Sequence, residues 1–146
     1  MAAKTNYLEN KIIDWFFRGQ TFTPPVTMYI GLFTATPSDT GGGTEVTGES
    51  YARVAVTSAL ANWAGTQSAG STAASSGTGG TTSNNGAITF PAPTASWGQV
   101  THFGIFDAAT AGNLLVWAAL TTPKTINSGD PAPNFAAAAL TFQEDN

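Results

Sequence analysis

The chain has a single histidine, His102, with an aspartate, Asp107, five residues on, both in THFGIFDAATAGNLLVWAALT (101–121). A histidine within hydrogen-bond reach of a carboxylate would supply the base and orienting group of a nucleophilic site. Strand parity opposes this. If QVTHFGIFD (99–107) is a regular strand, His102, Gly104 and Phe106 face one way, and Phe103, Ile105 and Asp107 the other. Only a bulge would break that alternation. Asp107 is therefore read as a turn residue bonded to nearby backbone, and His102 as a half-exposed strand residue.

The other chemical candidates are weaker. GESYA (48–52) begins like a nucleophile elbow but lacks its final glycine and the helix that must follow. Glu45 and Glu49 could line a loop and hold a calcium ion loosely, although solvated surface charge explains them as well. TGGGTEVTG (40–48) is glycine-rich but opens no helix, so it lacks the amide cradle of a phosphate loop. One histidine and no cysteine make a poor metal-ligand set. Two of the nine acids could still meet in space as a glycosidase pair, which sequence does not decide. The expectation is no catalytic residue, no cofactor and no metal.

The elements that would position these residues are mostly strands. The expected exception is one N-terminal helix at 4–18, with Leu8, Ile12, Trp15 and Phe16 on one stripe, Thr5 or Asn6 as its cap and Gly19 as its stop. Ile13 and Phe17 widen the apolar face. The helix either packs on the sheet of its own domain or docks between subunits. After TFTPP the period changes to two. VTMYIGLFT (26–34) sets Val26, Met28, Ile30 and Leu32 against Tyr29 and Phe33. ARVAVTSAL (52–60), GAITFPA (86–92), QVTHFGIFD and NLLVWAALT (113–121) follow as further strands, with FAAAALTF (135–142) as a weaker last one. One helix among many short strands describes an all-β fold, a single β-sandwich of jelly-roll-like or immunoglobulin-like kind. GLF at Gly31 and GIF at Gly104 echo one another, as pseudo-symmetry or by chance. Several strands are bulky on both faces, which favours a second subunit covering part of the outer one.

One stretch stands apart. AGTQSAGSTAASSGTGGTTSNNG (64–86) holds no charge and nothing larger than glutamine. It is expected to be a flexible loop, with a polar β-hairpin reaching onto a neighbour or a glycan- or receptor-contacting tip as alternatives. Shortening it should barely change thermal stability, because it removes little apolar area from water.

Composition narrows the function classes. Five basic residues against nine acidic ones, with no basic cluster, argue against a nucleic-acid partner. No apolar run reaches the roughly 18 to 20 residues of a membrane span. The start, MAAKTNYLENK, lacks the apolar core of a signal peptide, so a soluble, unprocessed chain is expected. Charged residues make up 10% of the chain, against roughly 25% in a typical domain. Such a surface leans towards being partly covered by neighbours. Homo-oligomerisation is expected, or docking of one copy on a larger ring, with Trp15, Phe16 and Phe17 near the contact.

YLENKIIDW, TPPVTMYIGLFTATPSDTGGGTEVTGESYARVAV and ITFPAPTASWGQVTHFGIFDAATAGNLLVWAALTTPKTINSGD, in that order, resemble a family of small tailed-bacteriophage virion proteins, often labelled phage tail fibre protein. The resemblance spans nearly the whole chain apart from 64–86 and the last dozen residues. Its most specific part is WGQVTHFGIFDAATAGNLL (97–115). It implies a non-enzymatic structural component of the virion, a tail fibre or tail appendage assembled with other tail, neck or capsid proteins. A capsid decoration (cement) protein and a host-surface glycan-binding adhesin are the alternatives, and a polysaccharide depolymerase is the enzyme-class rival.

Overall fold

A computed structural model describes residues 2–144. The chain is all-β with one helix. A six-stranded antiparallel sheet forms the body: β1 (Ala3–Lys4), β8 (Leu114–Ile126), β7 (Gly98–Phe106) and β2 (Thr27–Ala35) lie side by side, and β3 (Thr44–Glu45) and β4 (Val54–Thr57) share the far edge of β2. Two ribbons, β5 (Thr81–Ser83) with β10 (Thr141–Gln143) and β6 (Ile88–Thr89) with β9 (Asn134–Phe135), stand where a sandwich would have its second sheet. The layering is sandwich-like, with ribbons and turns as the second layer.

The alternation read in VTMYIGLFT places the core. Ile30 and Leu32 of β2 pair with Ile105 and Phe103 of β7, and Val116 and Ala118 of β8 extend the same face. Ile88, Phe90, Trp97 and Leu140 cover it from the second layer. β8 runs beyond the expected Thr121. Pro123 is tolerated because it falls where the β7–β8 ladder is interrupted, between the His102–Ala119 and Val100–Lys124 pairs.

On the opposite face the chain buries several of its own bulky residues. The two echoing glycines are direct cross-strand partners, Gly31 opposite Gly104. Phe33 lies over Gly104 and Phe106 over Gly31, with ring centroids 5.9 Å apart and planes 15° apart. The Arg53 guanidinium sits 3.3 Å above the Phe106 ring. Its Nε and Nη2 donate to the two carboxylate oxygens of Glu45 at 2.8 and 2.7 Å, and its Nη1 donates to the carbonyls of Ala108 and Ala111, each at 2.8 Å. Tyr29 and Trp117 complete this face half-buried.

Tyr51 closes the edge of β2 where β4 ends and β3 begins. Its hydroxyl accepts the Leu32 amide at 2.8 Å and donates to Glu45 Oε1 at 3.0 Å, while its ring packs on Phe90 and Trp97. Burial first, and the Glu45 carboxylate beside it, push the Tyr51 phenol well above its ordinary range, outweighing the Leu32 amide, which favours the phenolate.

The helix α1 spans Asn6–Phe17, two residues shorter at its start than expected, because Ala3 and Lys4 pair with β8. Thr5 holds the N-cap position, but its buried hydroxyl donates to the carbonyls of Leu114 and Leu115 and not to the helix. The Asn6 amide bonds the Asp39 carbonyl at 2.8 Å. Gly19, with φ of 65°, ends the helix as expected.

The two ends of the stretch 64–86 are built into the fold, while 67–80 is mostly exposed irregular chain. β5 lies within it, and Ala64, Ser83 and Asn84 are buried. Gln67, its largest side chain, donates to Ser71 and Ala74 and accepts from the Ser76 amide. Asn84 donates to the carbonyls of Gly86 and Ala136 at 2.7 and 2.8 Å and accepts the Leu140 amide at 2.9 Å. Hydrogen bonds anchor this segment where apolar area does not.

Two substitutions test these closures by chemical denaturation. Asn84→Leu leaves the buried Leu140 amide without its acceptor and the Gly86 and Ala136 carbonyls without their donor, and should cost about 2–3 kcal/mol. Gly31→Ala would place a methyl 2.9 Å from Glu45 Oε1 and 3.0 Å from the Phe106 ring, and should cost about 1–3 kcal/mol. Wild-type stability in either variant would contradict the packing described.

Candidate functional site

The chemical candidates resolve into structural roles. A bulge at Thr101 does break the parity of β7, so that Val100 and Phe103 both enter the core. His102 nevertheless stays with Gly104 and Phe106 on the outer face, its Nδ1 2.8 Å from the Thr101 hydroxyl and its ring centroid 5.9 Å from that of Trp117. Asp107 begins the β7–β8 turn, where its carboxylate accepts the Asn113 amide at 2.6 Å and the Asn113 side chain at 2.7 Å. The two residues have different partners. Desolvation lowers the His102 pKa from its ordinary value, whereas a paired carboxylate would raise it.

Ser50 of GESYA has φ of 64°; its hydroxyl donates to the Ala92 carbonyl at 2.7 Å and accepts the Thr94 amide at 3.2 Å. The oxygens of Glu45 are taken by Arg53 and Tyr51, which leaves no calcium site with Glu49. Among the described residues, no three His, Asp or Glu side chains converge as metal ligands, and no helix is long and apolar enough to cross a membrane.

What remains is apolar surface, in two adjoining forms. The first is the end of α1. The helix touches β1 and β8 near its start, with Leu8 against the core, but it does not lie along the sheet as the simpler expectation had it. Its last turn projects, leaving Trp15 56%, Phe16 69% and Phe17 77% exposed, with Ile13 about half exposed. The three aromatic rings stack edge to face, at 6.1 Å between Trp15 and Phe16 and 4.9 Å between Phe16 and Phe17. Arg18 pairs with Asp14 across one turn at 2.9 Å, so these two flanking charges neutralise each other.

The second is an open groove of about 600 Å³ between the start of α1, the returning segment 22–25, the turn after β4 and the β5–β10 ribbon. Leu8, Phe22, Pro25, Leu60, Trp63 and Phe142 line it, and none of its lining residues is charged. The helix stripe announced the aromatic end in the sequence. The groove was not announced: Phe22 sits in a proline-rich connection, Leu60 closes a strand-like run and Trp63 precedes a polar stretch, and only the fold brings them together.

The separation of His102 from Asp107 is testable. In an NMR titration the His102 midpoint should lie below about 6.5 and stay in place in Asp107→Asn. The neutral ring is the folded form, so its contribution to stability is complete above that pH and is lost as pH falls. A midpoint that drops by a unit in the variant would restore the pair.

A family model described as podophage GP4 fiber I protein gp80 matches residues 3–143, including the 64–86 stretch and most of the last dozen residues. No curated protein matches the chain.

Proposed function

From the chain's membership of the podophage GP4 fiber I protein gp80 family, we infer that it is a non-enzymatic structural protein of a tailed-phage virion, a component of the tail fibre apparatus. The match over residues 3–143 carries this reading. The site chemistry supports it: the hydroxyl of Ser50 and the carboxylates of Glu45 and Asp107 are all committed to holding the fold.

The work is done by surface. The chain joins the particle through apolar contact, with Trp15, Phe16 and Phe17 at the joint, to other virion proteins and to copies of itself. Burying that aromatic end removes several hundred Å² of apolar area from water, at roughly 25 cal/mol per Å². The rest of the fold gives the helix a fixed base.

Purified particles test the assignment. Trp15→Ser combined with Phe17→Ser should lower the amount of this protein on particles at least tenfold, while the isolated variant keeps its β-rich circular dichroism spectrum. Labelling of the wild-type protein should fall on the tail in few copies. Copies comparable to the major capsid protein would instead identify a capsid decoration protein, and release of sugars from host polysaccharide would identify a depolymerase.

A further inference from the structure

We propose that the aromatic end of α1 in one copy seats in the apolar groove of a second copy, so that each copy gives one plug and receives one. This rests on the reading of the chain as a self-associating structural protein, and it names the two surfaces that meet.

Plug and groove lie on the same chain yet cannot serve each other within it. Leu8, near the start of α1, forms part of the groove wall. Phe17 lies nine residues along the same helix, about 13 Å further on. The helix start is clamped, by the Thr5 hydroxyl on the Leu114 and Leu115 carbonyls and by the Asn6 amide on Asp39, so it cannot swing its far end back. The chain then returns through Phe22, Pro24 and Pro25, which occupy one side of the groove themselves.

The two surfaces match in chemistry and size. The groove presents no charge, and the plug is three aromatic rings. A volume of about 600 Å³ falls within the range that takes a drug-sized body, the scale of a Trp-Phe-Phe tip. From the plug, one insertion removes roughly 300–500 Å² from water. With a comparable area from the groove, a single insertion falls short of the roughly 1,600 Å² of a standard interface. Two insertions within one interface reach it, and a reciprocal dimer supplies them, each copy giving its plug to the partner whose plug it receives.

Mixing two variants of the full chain tests this. Trp15→Ser with Phe17→Ser removes the plug and keeps the groove; Leu60→Glu charges the groove at an exposed position and keeps the plug. By analytical ultracentrifugation the wild type should associate at micromolar concentration, and each variant alone should be monomeric. Their equimolar mixture retains one insertion of the two, so it should give a one-to-one dimer more weakly than the wild type, at concentrations about ten or more times higher. A monomeric wild type, a Leu60→Glu variant that still self-associates through stacked helix ends, or a mixture that stays monomeric would each overturn the proposal. A photo-crosslinking benzoylphenylalanine at position 17 in the otherwise wild-type chain reads the same contact without either variant. It should link to the peptide carrying Leu60 in the other copy, and a link to the other helix would overturn the proposal. If the protein were absent from particles, the fibre assignment would fail while these measurements kept their meaning.

Discussion

Gly31 and Gly104 face each other across β2 and β7, and the outer face of the sheet depends on neither having a side chain. A methyl at Gly104 would come within 2.6 Å of Leu114 and 2.8 Å of the Phe33 ring. At Gly31 it would meet Glu45, Phe106 and Tyr51 together. The missing side chains make room for Phe33 and Phe106 to lie flat on the sheet, and a flat ring gives a guanidinium a face to rest on. Arg53 takes that place. Its side chain is 8% exposed, and a cation so far removed from water persists only with its donors satisfied. Glu45 on β3 and the Ala108 and Ala111 carbonyls in the β7–β8 turn satisfy them. Elements far apart in sequence thus become fixed to one another through one side chain. The pair at its centre is worth more as a register device than as a source of net stability, since burying both charges offsets much of their attraction.

That closure decides which apolar surfaces stay open. With Arg53, Glu45 and the stacked phenylalanines over one face and the ribbons over the other, most of the sheet is covered by its own chain. The surplus is concentrated at the helix end and the groove beside it. A chain this poor in charge has little with which to screen a patch of that kind, and exposed apolar patches rimmed by polar surface mark contact sites.

Legibility in the sequence followed side-chain periodicity. The alternation in β2 was readable because its large residues are apportioned between two faces, Ile30 and Leu32 to the core and Phe33 to the outer side, whereas the Thr101 bulge in β7 was not. The Asp107 turn was readable because aspartate before a glycine-bearing turn has a local reason to be there. β1, β3 and β5 were invisible: strands of two or three residues exist because a partner strand offers them a ladder, a fact about β8, β2 and β10 and not about their own residues. Asn84 was missed for a related reason. Its neighbours are small and polar, and nothing local shows that the Gly86, Ala136 and Leu140 backbone groups will converge on its amide. The helix stripe was read correctly as apolar, but periodicity says which side chains share a face, not whether the fold covers them.

Whether it covers them was settled at the other end of the helix. For Trp15 and Phe17 to be buried within the same chain, α1 would have to tilt towards the groove about its own start. That start is the most tightly held point of the helix: Thr5 is 2% exposed and spends its hydroxyl on β8 in place of capping the helix, and β1 ties the two preceding residues to the same strand. Giving up those bonds would strand the Leu114 and Leu115 carbonyls in an apolar setting, at about 1–3 kcal/mol for each group left unpaired. The groove side is no more permissive, because Phe22, Pro24 and Pro25 already stand on it and prolines there restrict how the segment can move aside. A rigid base and a pre-filled wall therefore hold the aromatic end away from its own groove. The same two constraints keep the end and the groove in fixed relative positions, as surfaces that must be met from outside require.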